Sequence, residues 1–80
     1  MYYKLTCRPS IPQKFNVPDI IKHDIFLIVE EAARNYYWGS GGWQDTWPLD
    51  FEIISDNGKI LGEYTVWILS SYPDFDVIEK

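Results

Sequence analysis

Residues 49–69 read Leu49-Asp50-Phe51-Glu52-Ile53-Ile54-Ser55-Asp56-Asn57-Gly58-Lys59-Ile60-Leu61-Gly62-Glu63-Tyr64-Thr65-Val66-Trp67-Ile68-Leu69. Leu49, Phe51 and Ile53 alternate with Asp50, Glu52 and Ile54, the period of a strand with one buried face. Asn57-Gly58 is the signal of a type I′ hairpin turn, in which both tip residues take positive φ. With those two residues at the tip, Phe51 faces Tyr64 and Leu49 faces Val66 on the core side. On the other side Glu52 faces Glu63, Asp50 faces Thr65, and Trp67 shares their face. Like charges placed directly opposite destabilise a sheet by up to about 1 kcal/mol. Such a face is either fully hydrated or met by positive charge from a partner.

Before the hairpin lies Tyr36-Tyr37-Trp38-Gly39-Ser40-Gly41-Gly42-Trp43-Gln44-Asp45-Thr46-Trp47-Pro48, a glycine-rich loop carrying two tyrosines and three tryptophans. Loops are normally polar because they run over the surface. Rings here either fold back on the core or are offered to a partner. Tyr36 and Trp47-Pro48 read as the structural ends of this loop. Trp38 and Trp43 either cap the second face of the sheet or stand beside its acids. Gly39 is placed to give a left-handed helix cap.

Upstream, Asn16 reads as the N-cap of a helix over residues 17–38, with Pro18 tolerated in its first turn. Ile21, Ile25, Ile28, Val29, Ala32 and Tyr36 form its core stripe. Ile20 and Leu27 fall on one line of the opposite side, a candidate contact patch. Residues 1–8 read as a strand, with Tyr3, Leu5 and Cys7 alternating with Tyr2, Lys4 and Thr6. Residues 9–16, with Pro9 and Pro12, read as a connector. After the hairpin, Ser70-Ser71-Tyr72-Pro73 reads as a turn and residues 74–78 as a last strand or an extended tail. The expected fold is therefore a single α+β domain over residues 1–80, one helix on a mostly antiparallel sheet of three to four strands.

Length and charge bound the function. Eighty residues with a single cysteine, Cys7, leave no disulfide to stabilise a small core. A reducing cytosol is the expected compartment. No signal-peptide run or membrane-spanning segment is read. Net charge is −5, with five basic and four acidic residues in 1–43 but two basic and eight acidic in 44–80. This balance argues against direct binding to nucleic acid phosphates and suits a basic partner. The aromatic loop carries no Lys or Arg between Trp38 and Gly58, unlike the basic grooves in which single strands stack.

Catalytic chemistry is sparse. Gly39-Ser40-Gly41-Gly42 lacks the Gly-Lys-Ser/Thr ending of a phosphate loop and the Gly-x-Ser-x-Gly of a nucleophile elbow. Cys7 and His23 are the one cysteine and the one histidine, and His23 falls on the polar side of the expected helix. Adjacent Glu30 and Glu31 point in different directions and read as a solvated helix face. The expectation is no catalysis, no cofactor and no metal.

The run Gly42-Trp43, Trp47-Pro48-Leu49-Asp50-Phe51-Glu52-Ile53, Asp56-Asn57-Gly58-Lys59-Ile60-Leu61-Gly62-Glu63-Tyr64-Thr65-Val66 and Pro73-Asp74-Phe75 resembles small, acidic, uncharacterised proteins of bacteriophages and other mobile elements. The likeness covers roughly residues 32–79. Proteins of that type include anti-CRISPR proteins. The resemblance implies stoichiometric inhibition of a host complex, through binding of a Cas subunit, by an acidic face set against a basic nucleic-acid-binding groove. The residues expected to meet such a partner are Asp50, Glu52 and Glu63 with Trp38, Trp43, Trp47 and Trp67. The alternative is a self-associating structural or assembly protein, a homodimer rather than a monomer, joined through Ile20 and Leu27 or a sheet edge.

Overall fold

The structure is a computed structural model describing residues 1–69 and 74–80. The expected turn at Ser70-Pro73 lies outside the described residues. Among those described, the chain runs β1 (Tyr2–Leu5), β2 (Gln13–Lys14), α1 (Ile25–Gly39), β3 (Leu49–Ile54), β4 (Ile60–Ile68) and β5 (Phe75–Glu79). The strands form one antiparallel sheet in the order β2-β1-β3-β4-β5, with α1 packed on one face. The α+β architecture follows the sequence reading. The sheet has five strands rather than three or four, because the 9–16 connector contributes β2 and residues 75–79 form a full strand.

The hairpin pairs Leu49 with Val66, Asp50 with Thr65, Phe51 with Tyr64 and Glu52 with Glu63, the expected register. Its turn is different. Asn57 does not take positive φ, whereas Gly58 does, at 86°. Gly58 N–H donates to Ser55 C=O at 3.0 Å, and Ser55 N–H to Lys59 C=O at 2.8 Å. This is a three-residue loop ending in a left-handed glycine, not a two-residue type I′ turn. It shifts the pairing by one, so that Ile54 meets Ile60. A bulge then inserts Leu61 and restores the expected register from Gly62 onward.

The helix begins later than its sequence pattern suggests. Pro18 is extended at φ −59° and ψ 143°, and a short 3₁₀ turn spans Asp19–Ile21. A residue preceding proline is disfavoured in the helical region, which holds Val17 out of a helix. The N-cap is Asp24, whose carboxylate accepts from the amides of Phe26 and Leu27 at 3.0 and 3.4 Å. Ile20 and Ile21 therefore lie off α1, and Ile20 and Leu27 do not share a helical line. At the other end Gly39 remains helical, and Gly41 takes the left-handed conformation at φ 74°.

The core lies between α1 and one sheet face. Ile28, Val29, Ala32 and Ala33 pack with Tyr3, Leu5, Leu49, Phe51, Ile53, Tyr64, Val66 and Phe75, and all are buried. Ala32 and Ala33 let the helix approach the sheet closely, so the large rings can come from the strands. Phe51 sits centrally, with Tyr3, Tyr36 and Trp47 at centroid distances of 5.8, 6.0 and 5.9 Å. Each such pair contributes about 0.5–1.5 kcal/mol beyond its buried area. Cys7, two residues beyond the end of β1, is exposed rather than in the core alternation.

Candidate functional site

The strand alternation that buries Phe51 and Tyr64 turns Asp50, Glu52, Glu63, Thr65 and Trp67 to the other side of the sheet. Across the neighbouring strands Lys4 pairs with Glu52, Ile78 with Thr65 and Asp76 with Trp67. No described element covers this face. Trp67 is 45% exposed and Ile78 51%.

Its charges are largely answered from within. Lys80 follows β5, and its Nζ lies 3.0 Å from Asp50 Oδ2 and 3.3 Å from Glu63 Oε2. Asp50 also accepts from the Thr65 hydroxyl at 2.7 Å, and Glu63 accepts from the Thr6 hydroxyl. The Thr65 hydroxyl, then Lys80, holds the Asp50 carboxyl below the usual range. The Thr6 hydroxyl, then Lys80, does the same for Glu63. The two carboxylates hold the Lys80 ammonium above its ordinary value. Glu52 makes no ion pair among the described residues. Lys4, Lys14 and Lys80 thus share this face with Asp50, Glu52, Glu63 and Asp76, which leaves it close to neutral. The like-charge pairing of Glu52 and Glu63 is relieved inside the chain, by a residue the hairpin pattern does not contain.

The four tryptophans are divided. Trp67 lies on the open face. Trp47 is half-buried on the core side, stacked on Phe51 and 5.6 Å from Phe75, and its indole N–H donates to Gly42 C=O at 2.9 Å. Trp38 and Trp43 are 65% and 57% exposed. Trp38 lies in the last turn of α1, edge-on to Tyr37 at 4.9 Å, and Trp43 in the 3₁₀ turn Gly42–Gln44 that follows. Both belong to the helix layer. They neither cap the open face nor stand beside its acids.

The aromatic loop is held by a cluster that sequence reasoning does not identify. Arg8 reaches Asp45 through two hydrogen bonds, at 3.1 and 2.6 Å. The Tyr36 hydroxyl donates to the same carboxylate and accepts from Arg8. Burial, and then the bond to Asp45, pushes the Tyr36 hydroxyl pKa up to about 12. The bond from Arg8 holds Asp45 low. The cluster ties the end of β1 to the helix and to the loop beyond it. Forked Arg–carboxylate pairs fix orientation as well as charge.

Elsewhere, a shallow cleft of about 550 Å³ runs along residues 4–10 with Glu52 in its wall. Cys7 lies beyond β1 and His23 before α1; both are exposed, and no hydrogen bond joins them among the described residues. No group of three or more His, Cys, Asp or Glu positioned to hold a metal occurs among the described residues. Among the described residues no helix is long and apolar enough to cross a membrane. Comparison with protein-family models, curated proteins and solved structures finds no match to this chain.

Proposed function

We propose that this chain is a non-catalytic binding module that engages a basic surface of a host protein. The resemblance to phage and mobile-element proteins gives this reading its specific form. It is an accessory protein that inhibits a host complex as an anti-CRISPR does, occupying a groove that would otherwise hold nucleic acid. The observation that carries the reading is the uncovered sheet face, on which a half-exposed tryptophan stands beside fixed carboxylates. Exposed tryptophans on rigid elements are the usual anchors of protein interfaces, and charged rims mainly steer association. On this face Trp67 and Ile78 would supply contact area, Glu52 and Asp76 would be the carboxylates free to take a partner's cations, and Asp50 and Glu63 would be held by Thr65, Thr6 and Lys80. Trp38 and Trp43 would form a second, separate contact surface.

The test is affinity capture from a bacterial host, comparing the wild type with Trp67→Ala and with Glu52→Lys combined with Glu63→Lys. The expected result is a stoichiometric complex with a basic nucleic-acid-binding protein, lost in both variants while their circular dichroism is retained. Equal capture by all three chains would remove the open face from the interface.

A further inference from the structure

Among the described residues the sheet has two edge strands, β2 and β5. β2 is two residues long, and Pro12 precedes it. It offers little to a further strand. β5 runs for five residues, Phe75–Glu79, beside the nine-residue β4. Leu69 N–H donates to Asp74 C=O and Lys80 N–H to Glu63 C=O, so the even-numbered residues of this strand turn their backbone groups toward β4. In an antiparallel ladder the intervening residues then turn theirs away. Phe75, Val77 and Glu79 therefore present three N–H and three C=O groups along the outer edge, with no partner among the described residues.

The side chains around that edge are acidic. Asp74, Asp76 and Glu79 lie on the strand or beside it. Lys80 is occupied by Asp50 and Glu63. Glu30 of α1 lies close enough that Asp74 and Asp76 add to the burial that raises its pKa. A second copy of β5 would bring another set of these acids to the same line. Like charges facing one another across strands disfavour that pairing.

We infer that the outer edge of β5 accepts an extended, basic segment of a partner protein, which adds to the sheet as a further strand. Backbone hydrogen bonds to Phe75, Val77 and Glu79 would supply affinity, and alternate cationic side chains beside Asp74 and Asp76 would supply selectivity. A strand added there extends the open face next to Trp67 and Ile78. The inference rests on the proposed reading that the partner is basic, and it names the mode of contact.

The experiment uses the full chain and a short synthetic peptide of alternating lysine and valine. A version N-methylated at alternate residues and a glutamate–valine version serve as controls. Amide hydrogen exchange of Phe75, Val77 and Glu79 is the readout. These amides should exchange quickly in the free protein and become protected by the lysine–valine peptide. Both controls should bind at least about tenfold more weakly, a difference of about 1.4 kcal/mol. Asp74→Lys with Asp76→Lys, both on exposed side chains, should reverse the preference toward the glutamate–valine peptide. Absence of binding, or protection confined to residues of the open face, would overturn the edge mode. Protection of the three amides on raising protein concentration without peptide would overturn it in favour of self-pairing. Edge protection by the peptide, without capture of a basic host protein, would retain the edge and refute the proposed function. Capture of such a protein with the three amides still exchanging quickly would do the reverse.

Discussion

Replacing Gly42 by alanine tests how the aromatic loop is held. Gly42 is buried, and a Cβ built on it would lie 2.5 and 2.8 Å from Tyr36 ring carbons and 2.8 Å from the Tyr36 carbonyl oxygen. Ordinary contact begins near 3.4 Å, so all three approaches are too close. Neither neighbour moves freely. The ring packs on Tyr3, Phe51 and Trp47 and its hydroxyl is held by Asp45 and Arg8, while the carbonyl accepts the Ser40 amide at 3.2 Å. Forcing a methyl group into such a site costs about 1–3 kcal/mol. Alanine also restricts the unfolded chain, which favours folding by about 0.4–1 kcal/mol. The net is a loss of about 1–2 kcal/mol, or a Tm lowered by about 5–15 °C for a domain of this size. Gly39→Ala is the matched control. Gly39 is helical without positive φ, and its added Cβ would meet nothing within 4 Å. Only the chain-entropy gain then remains, so this variant should be more stable by about 0.4–1 kcal/mol. Urea denaturation followed by tryptophan fluorescence reads both. A Gly42→Ala protein as stable as the wild type would show that the loop is not packed on Tyr36 as described.

Three further outcomes follow from the geometry. Trp47→Ala should lose about 3 kcal/mol of stability because its ring fills space against Phe51 and Phe75, whereas Trp38→Ala and Trp43→Ala should each stay within about 0.5 kcal/mol by thermal denaturation. Lys80→Met should raise the pKa values of Asp50 and Glu63, seen in a carboxyl-detected NMR titration; unchanged values would show that Thr65 and Thr6 alone hold them low. Tyr36 should ionise only near pH 12, when absorbance at alkaline pH is followed. Its folded pKa lies above the unfolded value, so its contribution to stability is intact below about pH 10 and is lost as pH rises through the folded value. Tyr36→Phe should remove that component of the alkaline stability curve.

The strand pattern of residues 49–68 was legible because alternation is written into consecutive side chains. The hairpin register emerged correctly even though the turn type was not the expected one. The three-residue loop and the Leu61 bulge cancel, and a register set by burial of Phe51, Tyr64, Val66 and Leu49 is insensitive to how the tip is closed. The helix start was misplaced because Asn16-Val17-Pro18 and Asp24 both resemble a beginning. Proline's effect on Val17, together with the carboxylate bonds of Asp24, decides between them. β2 carried no periodic signal, because Gln13 and Lys14 are exposed and pair only once the chain has returned to Tyr2 and Tyr3.

The sequence alone determined which side of each main strand would be buried, and it placed Asp50, Glu52, Glu63 and Trp67 together on the other. Only the tertiary structure decided what those residues meet. Lys80 reaches Asp50 from thirty residues away and Arg8 reaches Asp45 from thirty-seven. No local period records such encounters, because they depend on where the folded sheet and helix bring distant segments. The same packing separated the tryptophans, placing Trp47 half-buried against the core and Trp38 and Trp43 on the helix layer. Among the described residues it also left the acidic outer edge of β5 unpaired, since strand order is a property of the assembled sheet and not of any one segment.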